Sequence, residues 1–336
     1  MTDLDDLEGF YDDVPAEPEY GIRQGRYMYP DPPGYKRAKG QRGFMRMTNL
    51  AAAFSDQIRL QHWRERMIML GMRTDEGEVL YDEFMATDLS QMKPDDAKAY
   101  LEQMADRIAD AAGAGHGARR GTARHLMLQT MQEVGVLTGT RKMRLQWHSL
   151  VESLARHRLT PLPGWSERRV CNTRYGVMGT LDLAVRCELT GQVGILDLKT
   201  QRRFWTYQEI AGQQHGYDSA KWVWDGPPSS QGGWVRPLTW DLTGAAGGEF
   251  EGRRVALLAH MPQAAGPEQL PVEIHEVALD YGEDVMVTAL RNVELRSIGA
   301  SVKPGRRVGA VRPEPAVGPI KVASTLGVAP SAIAGV

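Results

Sequence analysis

The stretch that decides the fold is GTLDLAVRCELTGQVGILDLKT, residues 179–200. Two runs rich in Val, Leu and Ile are separated within it by Thr190-Gly191, a pair typical of a tight hairpin turn. The pattern predicts two antiparallel strands, over 177–187 and 192–199.

Three charged residues interrupt these apolar strands. Asp182 lies in the first strand, and Asp197 and Lys199 lie in the second. Side chains alternate across a strand, so Asp197 and Lys199 should share one face, with Asp182 beside them. Burying such charges unpaired costs several kcal/mol, a penalty that a divalent cation held by the two carboxylates would remove. Oxygen ligands suit Mg²⁺ or Mn²⁺, while a simple ion pair on an exposed strand face is the alternative.

Helical and extended patterns alternate around this hairpin. Apolar spacing predicts helices over 48–71, 94–112, 121–136, 141–158, 204–222 and 283–298, and further strands over 168–175, 253–260 and 271–279. We therefore expect an α/β fold in which a central mixed sheet is flanked by helices and preceded by a helical N-terminal region.

Composition and charge divide the chain further. Of 336 residues, 40 are Lys or Arg and 42 are Asp or Glu, but residues 1–21 contain eight acidic residues and no basic one. Within 117–175 eleven basic residues face three acidic ones, an excess that suits a polyanion or, alternatively, a solvated helix surface. We predict a disordered acidic arm over 1–40, a helical region over 41–115, a main domain over 116–300 and a disordered tail over 301–336.

Several classes of protein are excluded by the composition. Only two cysteines are present, too few for a disulfide-rich scaffold or a cluster held by four thiolates. No apolar run reaches the roughly 18 residues of a membrane span. The N-terminus is acidic where a secretory signal is basic and then apolar, so we expect a cytoplasmic protein that does not contact a membrane.

Two further motifs lie on predicted helices. GTARH, residues 121–125, places His125 in the first turns of a helix as a candidate metal ligand or, alternatively, a structural histidine. QQHGY, residues 213–217, places Gln213 and Tyr217 one turn apart on one helix face.

In chain order, GTARH, GTLD, DLK and QQHGY resemble the RecB-like branch of the PD-(D/E)XK nuclease superfamily, and in particular its stand-alone phage exonucleases. The resemblance covers roughly residues 117–300 and implies a restriction-endonuclease-like core. It implies that His125, Asp182 and Asp197 bind Mg²⁺ or Mn²⁺. Asp182, Asp197, Lys199, Gln213 and Tyr217 would be the catalytic set.

The resemblance also extends to neighbouring residues. Glu167, in WSERRV, is similar to an accessory acid on the preceding strand, although Glu152 competes for that role. We expect phosphate contacts from Arg168, Arg169 and Arg174. Alternatively, these arginines lie on an exposed strand face and bind nothing. Members with an iron–sulfur cluster carry four cysteines, so no such cluster is expected here.

Three functions remain open at this point. The first is a metal-dependent DNA exonuclease acting in recombination, repair or replication, together with the proteins of those processes. The second is a structure-specific DNA endonuclease with the same site. The third is a non-catalytic DNA-binding protein on a nuclease fold. Polarity, strand preference and oligomeric state are not predicted.

Overall fold

The computed structural model describes residues 22–23, 26–37, 39, 41–55, 58–116, 119, 121–123, 125–126, 129–130, 141–200, 207–226, 232–244, 249–261 and 271–301. Its strands are β1 (Ile22–Arg23), β2 (Arg26–Tyr27), β3 (Phe44–Arg46), β4 (Leu159–Asn172), β5 (Val177–Cys187), β6 (Val193–Lys199), β7 (Trp222–Asp225), β8 (Gly233–Val235), β9 (Val255–His260) and β10 (Glu273–Ala278). Its helices are α1 (Met47–Ala52), α2 (Ile58–Gly71), α3 (Asp75–Ala86), α4 (Pro94–Ala111), α5 (Arg141–Arg156), α6 (Tyr207–Asp218) and α7 (Leu279–Ser301).

The strands form one mixed sheet centred on β5. β4 pairs antiparallel along one edge of β5, through registers from Leu159↔Cys187 to Asn172↔Val177. The other edge is shared by β3, which is parallel, and β6, which is antiparallel. β9 pairs in parallel with β6, and β10 closes that side of the sheet. The predicted α/β architecture, a mixed central sheet flanked by helices, is confirmed.

Helices cover both faces of the sheet. On one face α1, α6 and α7 bury Leu50, Ile210 and Met286 against strand residues such as Ile195. On the other, residues of α5 including Leu150 pack on the alternate residues of β5, β6 and β9. The predicted alternation of the strands is what allows each of them to serve two apolar layers.

The predicted disordered arm over 1–40 is too long. Residues 22–23 and 26–27 form β1 and β2, and Tyr27 and Tyr29 are each only 3% exposed. Tyr29 packs edge-on against Trp224, with ring centroids 5.1 Å apart. Aromatic burial therefore orders a segment whose composition is typical of disorder, and residues 1–21 lie outside the described part.

The helical region differs from prediction in three ways. The helix predicted over 48–71 is two helices, α1 and α2. Helix α3 was not predicted, although Thr74 caps it by accepting a hydrogen bond from the Gly77 backbone N–H at 3.0 Å. Both β3 and α1, which were assigned to the helical region, belong to the sheet and its core.

Other boundaries shift by smaller amounts. β4 begins nine residues before the predicted strand at 168, because a register shift between Pro161 and Ser166 accommodates prolines that a regular strand excludes. The helix predicted over 121–136 is helical at residues 121–123, 125–126 and 129–130, and the remainder of it lies outside the described residues. Within the described part of the chain, no helix is long and apolar enough to cross a membrane.

Candidate functional site

A cavity of about 620 Å³ opens where two strands diverge along one edge of β5. β3 pairs only with residues 177–178 of β5, and β6 pairs with residues 183–186. Residues 179–182 lie in the gap between them, and Gly179, Thr180 and Asp182 line the cavity. The sheet therefore contributes its own backbone edge to the wall of the site.

Three carboxylates cross the strands in one row at this gap. The pairs Ser166↔Leu183 and Arg168↔Leu181 place Glu167 opposite Asp182. Extending the pair Leu183↔Leu196 by one residue places Asp182 opposite Asp197. Like charges directly opposite each other destabilise a sheet, so this row needs cations to compensate it.

His125 supplies one compensating group. Its Nδ1 atom lies 3.2 Å from Glu167 Oε1 and 3.4 Å from Asp182 Oδ1. Burial alone would lower the pKa of the imidazole, but Asp182 and Glu167 outweigh burial and raise that pKa to about 9. In the metal-free protein His125 is therefore a cation at neutral pH.

Glu167 has a strained backbone. Its φ is 51°, in the left-handed region that residues with a Cβ rarely adopt. Such a conformation costs about 1–3 kcal/mol and persists where the surroundings impose it, often at functional sites. The strained residue is the one that forms a hydrogen bond with His125.

Asp182 is held by the neighbouring strand as well as by the histidine. The Leu198 backbone N–H donates a hydrogen bond of 2.7 Å to Asp182 Oδ2. Asp182 is 7% exposed, and burial raises the pKa of its carboxyl against the lowering effect of His125. The backbone donor leaves Oδ1 directed at His125.

Asp197 and Lys199 form the second pair. Lys199 Nζ lies 2.5 Å from Asp197 Oδ2, and Asp197 is 1% exposed. Burial raises the pKa of Asp197 to about 6, with Lys199 opposing the shift. Burial lowers the pKa of Lys199, but Asp197 and then Asp182 outweigh it and raise that pKa, so the lysine is cationic.

Helix α6 packs over the pair of Asp197 and Lys199. Gln213 donates through Nε2 to Asp197 Oδ1 at 3.3 Å and to Tyr217 Oη at 2.8 Å. Tyr217 lies close to the strand because residue 179 is glycine: a Cβ there would stand 2.5 Å from the Tyr217 ring. Asn172 of β4 fixes the helix by donating to the Gly216 carbonyl at 3.0 Å.

The donor set suits a divalent cation. One imidazole nitrogen and two carboxylate oxygens, from His125, Glu167 and Asp182, lie within 4.8 Å of one another. Asp197 lies outside that group of three, with its oxygens directed at Lys199 and Gln213. Mainly oxygen ligands on acidic side chains fit Mg²⁺ or Mn²⁺ chemically, and imidazole also accepts Mn²⁺. Glu167, which the resemblance suggested only as a possible accessory acid, is thus closer to the histidine than Asp197 is.

The three arginines do not lie together. Arg168 and Arg169 line the cavity. Arg169 also lies over the Tyr27 ring, with its guanidinium carbon 5.5 Å from the centroid, and contacts Thr180. Arg174 instead pairs with Glu283 of α7 at 2.6 Å. Glu152, the competing acid, is exposed on α5 and is not a lining residue.

Sequence reasoning missed several lining residues. Tyr27 comes from the segment predicted to be disordered, and Arg46 and Thr48 come from the junction of β3 and α1. Arg46 belongs to a short basic run that precedes the first predicted helix and consists of Lys36, Arg37, Lys39, Arg42 and Arg46.

The sequence matches no protein-family model, and no curated protein matches it.

Proposed function

We propose that this protein is a metal-dependent DNA nuclease of the RecB-like PD-(D/E)XK type, acting as an exonuclease. The observation that supports the proposal is the convergence of His125, Glu167, Asp182, Asp197 and Lys199 on one cavity, from segments up to 74 positions apart in the sequence. An ion pair of purely structural use would require neither the histidine nor the strained acid.

His125, Glu167 and Asp182 would hold the cation, with Asp197 at the border of the site. A bound Mg²⁺ or Mn²⁺ supplies a Lewis acid that polarises a phosphoryl oxygen and lowers the pKa of a bound water. The chain's own groups then position the phosphodiester and compensate its charge.

Lys199 has the clearest catalytic role. Asp197 holds its ammonium group at the cavity wall, where the ammonium can orient an attacking water and stabilise negative charge that develops on phosphorus. Loss of one such group typically costs about 2.7–4 kcal/mol, or about 10²–10³ in rate.

Gln213 and Tyr217 act through Asp197. Because Gln213 donates to both Asp197 and Tyr217, it fixes the oxygen of Asp197 that does not face Lys199. Arg168 and Arg169, on the same cavity wall, are placed to bind phosphates of the DNA strand.

The test is a digestion of end-labelled linear DNA with Mg²⁺ or Mn²⁺. We expect labelled mononucleotides or short products from the wild-type protein, and at least about 100-fold slower cleavage by Lys199→Ala with DNA affinity retained. Lys221→Ala, which changes an exposed lysine away from the cavity, is the matched control and should cleave normally.

Covalently closed circular DNA distinguishes the alternatives. Resistance of the circle favours the exonuclease, and its cleavage favours the endonuclease with the same site. DNA binding without cleavage under either metal would overturn the enzymatic proposal in favour of a non-catalytic DNA-binding protein.

A further inference from the structure

A second set of metal-ligand side chains lies on the neighbouring strands. His260 ends β9, and Glu273 and His275 lie on β10. Glu273 is the direct register partner of His260 in this antiparallel pair, and His275 follows two residues later. All three side chains therefore share one face of the sheet.

Their donor atoms are close to coordination spacing. Glu273 Oε2 lies 3.2 Å from His275 Nε2 and 3.9 Å from His260 Nδ1. The donor atoms of the three residues lie within 4.8 Å of one another. Ligands of a tetrahedral zinc ion, with bonds of about 2.0–2.1 Å, lie roughly 3.4 Å apart. Small side-chain rotations would therefore bring the set to bonding distance.

The cluster combines a buried anchor with an accessible side. His260 is 7% exposed, so packing fixes its ring. His275 is 40% exposed in its side chain and lines a separate cavity of about 580 Å³ beside Tyr207 and Tyr281. A cation could enter from this side and keep a position open to water.

We propose that His260, Glu273 and His275 form a second metal site, selective for Zn²⁺, Co²⁺ or Ni²⁺. Two imidazoles and one carboxylate favour these ions over Mg²⁺, which prefers oxygen ligands. The chemistry thus differs from that of His125, Glu167 and Asp182, where two of three donors are oxygens. Because the ligands come from both β9 and β10, the ion would join these strands across the connection between them.

The site lies next to the candidate nuclease site but is independent of it. His260 is the register partner of Lys199 in the parallel pair of β6 and β9. The proposal does not require the protein to cleave DNA, and its test uses metal binding alone.

The experiment is a Co²⁺ titration of the full-length chain followed by visible absorption, with excess Mg²⁺ present. The background variant Asp182→Asn weakens the carboxylate site, so that the second site is measured alone. We expect one equivalent of Co²⁺ with d–d bands typical of nitrogen and oxygen ligation. Loss of a ligand's hydrogen-bond partner already costs about 10–100-fold in metal affinity, so His275→Ala should weaken binding by at least about 10-fold.

Two further variants keep the test decisive. Glu273→Gln alters a side chain that is 57% exposed, so the fold should tolerate it, and it should weaken Co²⁺ binding as His275→Ala does. His148→Ala, at an exposed histidine on α5, should bind Co²⁺ as the background does. The proposal is overturned if the background binds no Co²⁺, or if the His275 and Glu273 variants both retain the full equivalent.

Discussion

A metal ion at the carboxylate row must compete with the proton on His125. Only the neutral imidazole is a ligand, and the neighbouring carboxylates raise the pKa of His125 to about 9 in the metal-free protein. Below that pH, each unit lowers the apparent metal association constant about tenfold. At about pH 7.5 the proton therefore weakens binding by roughly 30-fold, or about 2 kcal/mol, relative to the plateau above pH 9.

Calorimetric titration with Mn²⁺ measures this competition directly. Between about pH 6.5 and about pH 8.5 the association constant of the wild-type protein should rise about 100-fold. Titrations at about pH 7.5 in two buffers of different ionisation enthalpy should report the release of nearly one proton per metal ion. The range begins above the pKa of Asp197, about 6, so that this carboxyl contributes little.

The variant His125→Gln separates this explanation from a general effect of charge. It removes the titrating ligand, so Mn²⁺ should bind more weakly and with little dependence on pH. His148→Gln changes an exposed histidine on α5 and should retain the wild-type profile. A flat profile for the wild-type protein, or an equally steep one for His125→Gln, would refute the role of His125 as a ligand.

Three other predictions concern packing, burial and DNA contacts. Gly179→Ala places a Cβ 2.5 Å from the Tyr217 ring and should lower the free energy of unfolding by about 1–3 kcal/mol in urea titrations; an unchanged value would contradict the close packing. Burial raises the folded-state pKa of Asp218 from 3.8 to about 6, so its contribution to stability is present below about pH 4 and is lost as the pH rises through 6. The free energy of unfolding should therefore fall between pH 4 and pH 7, and Asp218→Asn should reduce this fall by up to about 3 kcal/mol in denaturation curves at the two pH values. An equal fall in the variant and in the wild-type protein would contradict the raised pKa. Arg169→Ala should weaken DNA binding and reduce by about 1 the magnitude of the slope of the logarithm of the binding constant against the logarithm of the salt concentration. Arg174→Ala should leave both quantities unchanged, because Arg174 pairs with Glu283; equal effects of the two variants would contradict the phosphate contact assigned to Arg169.

The central strands could be predicted from sequence because their signals are local. β5 has the predicted bounds, Val177–Cys187, and β6 begins one residue later than predicted. Apolar alternation and the turn residues Thr190-Gly191 indicate such a hairpin without help from distant residues. The connection itself, residues 188–192, is longer than the tight turn that was predicted. Helix α4, Pro94–Ala111, ends only one residue before the predicted end. It could be predicted because its proline start and its apolar stripe are equally local signals.

Elements stabilised by distant contacts were missed. β1 and β2 have two residues each, too few for any period, and Tyr27 is buried only because distant aromatic side chains pack around it. The positive φ of Glu167 also has no signal in the sequence, since any residue type can be forced into it by its neighbours. The candidate site residues were predictable as residue types, but the position of Glu167 next to His125 depends on strand register.

The net charge of the carboxylate row and its two cationic neighbours differs between the metal-free and the metal-bound protein. Three acids, Glu167, Asp182 and Asp197, face two cations, His125 and Lys199, so the metal-free cluster retains one excess negative charge when all are ionised. A divalent cation that displaces the His125 proton would bring the same five side chains to neutrality, because it adds two charges and removes one. The cluster is therefore balanced for a bound divalent ion rather than for the metal-free state. A fold stabilised by its ion pairs alone would not need Glu167 as a third acid. Removing Glu167 should therefore stabilise the metal-free protein and weaken its binding of the metal ion.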